Sequence, residues 1–155
     1  MSFSPSSPVS GAAVPGFTTP TYTLTTDVAA TVNAKQFAVT ALGGTQTGVD
    51  AHSVSKPFTL TFVRPVTLKA MPSPNPVTGQ YPVSIPVNKY LFITRKGVNC
   101  VAGVTRPLVV RLEIGVPVGS DTYEPEDVKA AISAAIGTLY QQASGIAQTC
   151  LDGIM

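Results

Sequence analysis

The sequence predicts an α+β fold. An N-terminal β-hairpin and an antiparallel β-sheet are followed by two C-terminal α-helices, and two copies interlock as a homodimer with a continuous sheet. Three observations lead there. Val (20 residues) and Thr (19) make up a quarter of the 155-residue chain, while Glu occurs three times. That balance favours pleated strands over surface helices. Apolar residues alternate with period two through the middle of the chain, then switch to a helical period near its end. The helical part is too small to cover the sheet by itself. The length fits one domain, and a chain of this size normally buries about 68–70% of its unfolded surface.

Residues 1–20 are rich in Ser, Pro, Gly and Ala without a period. They read as an extended arm, ordered only where it docks, and residues 21–155 as the single domain, with strands over about 21–117 and helices over about 125–152. The start has no basic region followed by an apolar run, so no secretory signal is expected. Residues 21–28 and 35–42 alternate well enough for a hairpin joined by residues 29–34. Gly43, Gly44 and Gly48 then break the pattern and predict a turn. The Gly-Lys-Ser/Thr ending of a phosphate-binding loop is missing there.

Residues 58–63 alternate best: Phe58, Leu60 and Phe62 lie on one face, Thr59 and Thr61 on the other. Pro65 predicts a bulge or an edge, with residues 66–70 still extended. Four breakers (Pro72, Pro74, Pro76, Gly79) make 71–80 a loop. Residues 81–87 and 89–96 are strand-like, and 97–106 reads as a flexible loop. The last strand, residues 108–116, places Leu108, Val110, Leu112, Ile114 and Val116 on one face. Val109, Arg111, Glu113 and Gly115 occupy the other.

Asp121, Thr122 or Glu124 can then cap a helix, Pro125 suits its first turn, and Glu126 and Asp127 favour its positive end. Val128, Ala131, Ile132, Ala135, Ile136, Leu139 and Tyr140 form one apolar stripe. Gly145 is a candidate terminator, with a short second helix over 146–152. One helix of about 18 residues spans roughly 27 Å. Five strands at about 4.8 Å spacing exceed 20 Å in width. A second copy that supplies another helix and pairs a sheet edge solves the covering problem. A monomer closed by its proline-rich loops is the alternative.

Charge is segregated along the chain. Residues 34–111 hold nine basic groups against Asp50, a net of +8, whereas 112–155 carry a net of −5. A basic middle and an acidic end suit different partners, and a polyanion fits the middle. Catalytic constellations are missing. His52, the only histidine, sits in a polar loop with no serine motif around it. One His and two distant cysteines, Cys100 and Cys150, are poor material for zinc. No enzyme, cofactor or metal is expected. Two cysteines suggest a reducing compartment of synthesis, with Cys100 buried or unpaired. No run of 18 apolar residues is present, so no helical membrane span is expected.

The C-terminal part resembles the coat proteins of single-stranded RNA bacteriophages, the levivirus group. The residues that carry the likeness are Arg111-Leu-Glu-Ile-Gly-Val-Pro-Val-Gly-Ser120, leading into Glu126-Asp-Val-Lys-Ala-Ala-Ile-Ser-Ala-Ala-Ile-Gly-Thr-Leu139. The preceding hairpin and strands match in order. The Ser/Pro-rich arm and the loop at 72–80 depart from the best-known members. The resemblance implies a dimer with a ten-stranded sheet, helices crossing onto the partner, and a quasi-equivalent icosahedral shell assembled in the bacterial host cytoplasm. It also implies outward helices and a sheet that faces the packaged genome. That sheet binds an RNA hairpin, which represses replicase translation and marks the genome for packaging. By resemblance and strand parity, Thr59, Thr61, Lys69, Lys89, Arg95, Arg111 and Glu113 belong to the RNA-facing surface. The loop with Gly97, Asn99, Cys100 and Gly103 lies between dimers. Some members join that loop by disulfides from two cysteines; this one has only Cys100. A subunit of an open polymer, such as a tail tube or pilus, is the alternative from the composition alone. A monomeric nucleic-acid-binding module is another.

Overall fold

The computed structural model describes residues 2–154. Its strands are β1 (Val9–Ser10), β2 (Phe17–Asp27), β3 (Ala34–Gln46), β4 (Phe58–Val63), β5 (Val87–Val101) and β6 (Val104–Pro117). Helices α1 (Ser120–Tyr123), α2 (Pro125–Gln141) and α3 (Ala143–Asp152) follow. The six strands form one antiparallel meander in sequence order. The sheet has one strand more per chain than the ten-stranded dimer requires. The addition is β1, where the arm pairs Val9 with Tyr22 and Ser10 with Thr21.

Several boundaries differ from the sequence reading, each for a local reason. The glycines at 43 and 44 do not end β3. Gly43 lies against the Thr21 side chain, and Gly44 takes φ 72° beneath the Thr18 and Thr19 carbonyls. They therefore bend a continuing strand rather than break it. Of the strand expected over 81–87 only Val87 is extended in a ladder, as the first residue of β5, because Pro82 and Pro86 cannot donate, and 66–70 pairs with no strand either. The flexible loop expected over 97–106 is a hairpin ribbon: β5 and β6 pair out to Val101 and Val104, with Gly103 at φ 76° in the turn. Gly97 is required by packing. A Cβ there would meet the Lys56 Cα at 2.7 Å, and its N–H donates to the Pro57 carbonyl at 2.6 Å. Gly145 does not stop a helix but lies within α3. The break falls at Gln142, and Gly153, at φ 71°, closes α3.

The register sorts the sheet into two faces. Phe37, Leu60, Thr94 and Val110 lie opposite one another across four strands, as do Phe62, Phe92 and Leu112. With Phe58, Leu108, Tyr90 and Ile114 these make an apolar face. The arm docks on it: the Phe3 ring stacks on Phe62 at 4.9 Å and meets Phe37 and Phe92 edge-on at 6.0 and 6.2 Å. Lys35 fastens the arm by donating to Ser2 Oγ and the Phe3 carbonyl at 2.9 and 3.1 Å. Ser7 Oγ accepts the Leu24 N–H at 2.9 Å.

This core is thin for the chain's size. Among the described residues the buried hydrophobic side chains are Leu24, Ala38, Val39 and Ile93, of which Ala38 and Ile93 lie on the opposite face of the sheet, and no residue of α2 or α3 is buried. The chain exposes 10776 Å². A compact monomer of its mass exposes about 7,400 Å², which leaves a surplus of roughly 3,400 Å². It buries about 54% of its extended surface, short of the ordinary 68–70%. The missing burial sits where the sequence reading placed it: on the α2 stripe, where Ile136, Leu139 and Tyr140 are exposed, and along β6, where Leu108 and Val110 are exposed.

Candidate nucleic-acid interface

The other face of the sheet is polar. The register aligns Gln36, Thr61, Ile93 and Arg111 across β3 to β6, and Ala38, Thr59, Arg95 and Val109 beside them. Val63, Leu91 and Glu113 form the next row, and Lys89 lies opposite Gly115. Six of the seven residues assigned to the RNA-facing surface by resemblance therefore share one face: Thr59, Thr61, Lys89, Arg95, Arg111 and Glu113. Lys69 is the exception. It lies in the irregular segment after β4, where its N–H donates to Asn88 Oδ1 at 2.9 Å. Leu91 and Ile93 share this face with the basic residues. Ile93 is buried there.

The face has raised charged groups and a low centre. Arg111, Glu113 and Lys89 are exposed, and Arg95 is half-buried. Lys89 Nζ pairs with Glu113 Oε1 at 2.8 Å, and that hydrogen bond raises the lysine pKa. The ammonium stays charged and Glu113 is occupied by it, which leaves Arg95 and Arg111 as the cations without an ion-pair partner among the described residues of this face. Thr59 and Thr61 are only 6% and 5% exposed. Their short side chains lie sunk within the face.

One polar network was not anticipated. Thr61 Oγ1 donates to Gln36 Oε1 at 3.0 Å, and Gln36 Nε2 donates to Asp27 Oδ2 at 2.6 Å. The Gln36 bond, then the Val28 N–H, hold the Asp27 carboxyl below the ordinary aspartate pKa. The signal for Gln36 was present in the alternation of β3, where it takes the opposite parity to Phe37 and Val39.

The basic middle of the chain is not a single surface. Lys35 and Lys96 point to the apolar side, the first holding the arm and the second lying over the Phe58 ring at 5.1 Å. Burial lowers the Lys96 pKa, and its ammonium donates to the Asp50 carbonyl at 2.7 Å. Lys56 pairs with Asp50 at 2.6 Å. Sequence segregation of charge therefore overstated the basic character of the polar face, because strand alternation sends neighbouring basic residues to opposite sides.

The other singled-out residues have structural surroundings. His52 Nδ1 accepts the Phe58 N–H at 3.0 Å, and the His52 N–H donates to the Val39 carbonyl at 2.8 Å, so the imidazole sets the start of β4. Gly97, Asn99, Cys100 and Gly103 lie along the ribbon. Asn99 Oδ1 accepts the Thr105 hydroxyl at 2.8 Å, and Cys100 and Cys150 are both exposed free thiols. Glu126 pairs with Lys129 at 2.7 Å within α2. Among the described residues no cluster of His, Cys, Asp and Glu could hold a metal ion, and no helix is long and apolar enough to cross a membrane.

No protein-family model and no curated protein matches the chain. Solved structures do. A virus-like particle of bacteriophage ESE020 contains a chain 55% identical to this one, with a TM-score of 0.94 over 99% of this chain and 100% of that one. A virus-like particle of Beihai levi-like virus 32 shares the fold at 22% identity, with a TM-score of 0.53 over 86% of this chain and 88% of that one. The antiparallel sheet with C-terminal helices and the particle-forming relative agree on a structural role in a viral capsid. The chain belongs to the coat proteins of the levi-like single-stranded RNA bacteriophages.

Proposed function

We propose that two copies of this coat protein pair through β6 into a dimer, that dimers close into an icosahedral shell, and that the polar face of the sheet binds the packaged RNA. The observation that carries the reading is the two-sided sheet. One face is apolar and under-covered, and the other presents Lys89, Arg95 and Arg111 together. Among the described residues no strand pairs with the outer side of β6 along its 14 residues. Antiparallel pairing with a second β6 satisfies its free N–H and C=O groups, and β1 makes the joined sheet twelve-stranded rather than ten-stranded. The surplus of roughly 3,400 Å² exceeds one partner's share of most obligate interfaces, which leaves area for contacts between dimers.

Arg95 and Arg111 supply phosphate contacts, and the sunken centre around Thr59, Thr61 and Gln36 gives unpaired bases somewhere to enter. A hairpin held there represses replicase translation and selects the genome, and the shell assembles in the bacterial cytoplasm around it. Binding of a short RNA hairpin to the dimer, measured over a series of salt concentrations, tests this. Salt-dependent binding that Arg95→Glu with Arg111→Glu abolishes supports the polar face. Binding unchanged by that reversal refutes it.

A further inference from the structure

The segment between β4 and β5 spans residues 64–86, longer than structureless connections usually are. Both of its ends are held at the α1 end of the sheet. The Arg64 N–H donates to the Asn33 carbonyl at 3.0 Å, and the Val118 N–H to the Pro86 carbonyl at 3.0 Å. Its tip is bonded to itself. Asn75 Oδ1 accepts the Val77 and Thr78 N–H groups at 2.8 and 3.3 Å, the Asn75 N–H donates to the Gln80 carbonyl at 2.8 Å, and the Gly79 N–H donates to the Asn75 carbonyl at 2.7 Å. Gly79 takes φ 68°, which the closure requires. Pro74 and Pro76 stiffen the approach. This ordered tip carries Val77 91% exposed, with Tyr81 and Val83 also exposed behind it.

A self-bonded loop with an apolar tip has its ordering cost already met and gains by burying that tip on something. We propose that residues 74–80 form a preorganised apolar knob that docks on a neighbouring copy of this chain, joining subunits at the end of the sheet opposite the β5–β6 ribbon. The inference rests on the shell-forming reading above. A second copy is the occupant for three reasons. The relative 55% identical to this chain builds a particle. The exposed surface exceeds that of a compact monomer. Residues 70–86 contain no charged side chain, which disfavours RNA. The ribbon and the knob then place a contact element at each end of every sheet.

The test expresses the full chain and its Val77→Asp and Val77→Ile variants. Particle yield is read by negative-stain microscopy and light scattering, and the dimer by circular dichroism and gel filtration. The inference expects a V77D dimer with native circular dichroism and a particle yield lowered about tenfold or more, since the charge must enter an apolar seat. V77I assembles like the parent. Parent-level particle yield from V77D overturns the knob. So does a V77D chain that fails to fold, because an exposed side chain free of contacts is not needed for folding. A parent chain that forms no particles at all overturns the shell reading first, and the knob with it.

Discussion

Replacing Phe3 by alanine removes the ring that the arm inserts among Phe37, Phe62 and Phe92. Truncating a fully buried phenylalanine costs about 3–5 kcal/mol. Phe3 is half-buried, so about 2 kcal/mol is expected. In a protein of this length that lowers the melting temperature by about 4–8 °C. The assay is thermal unfolding of the unassembled protein at one fixed concentration, since any association makes melting concentration-dependent. Phe3→Leu keeps most of the area and loses the ring–ring geometry, worth about 0.5–1.5 kcal/mol per pair, so it should fall between the two. A Phe3→Ala protein that melts with the parent would show that the arm contributes nothing to the apolar face.

Arg111→Ala should weaken RNA binding, make its salt dependence shallower by about 0.7–0.9 for each phosphate no longer neutralised, and leave the protein's melting unchanged; equal affinity and slope remove Arg111 from the surface. Gly97→Ala should lower the urea midpoint by an amount equivalent to about 1–3 kcal/mol, because the added Cβ meets Lys56 and Pro57 at 2.7–2.9 Å; an unchanged midpoint contradicts the close approach. The Asp27 carboxyl is held below its ordinary value of 3.8, so the stability it contributes is present above that value and lost as pH falls through the lower folded one. Asp27→Asn should flatten that acid limb in urea midpoints, and parallel acid limbs in the two proteins rule the contribution out.

Elements governed by alternation were readable in the sequence. Residues 58–63 coincide with β4, and the parity of Thr59, Thr61, Lys89, Arg95, Arg111 and Glu113 matches the observed face, since a single pleat sets all of it. The shortage of helix was also visible, and it reappears as the unburied α2. What long-range packing decides was hidden. Gly97 looked like a loop residue, yet it is a glycine because the chain at Lys56 and Pro57 passes against it. Gly145 looked like a helix stop, but the reversal at Gln142 comes before it. The seating of Phe3 depends on Lys35, more than thirty residues away, and no local pattern marks it. The loop tip at 74–80 was visible only as a cluster of prolines; its closure around Asn75 is a matter of geometry.

In the proposed particle the sheet's polar face meets the RNA and the helices face away from it. Ultraviolet cross-linking of purified particles, followed by mass spectrometry of the RNA-bound peptides, tests it most directly. Adducts are expected in peptides from β5 and β6 that contain Arg95 and Arg111, and none from α2 or α3. Adducts concentrated in residues 125–152, with β5 and β6 free of them, would contradict it.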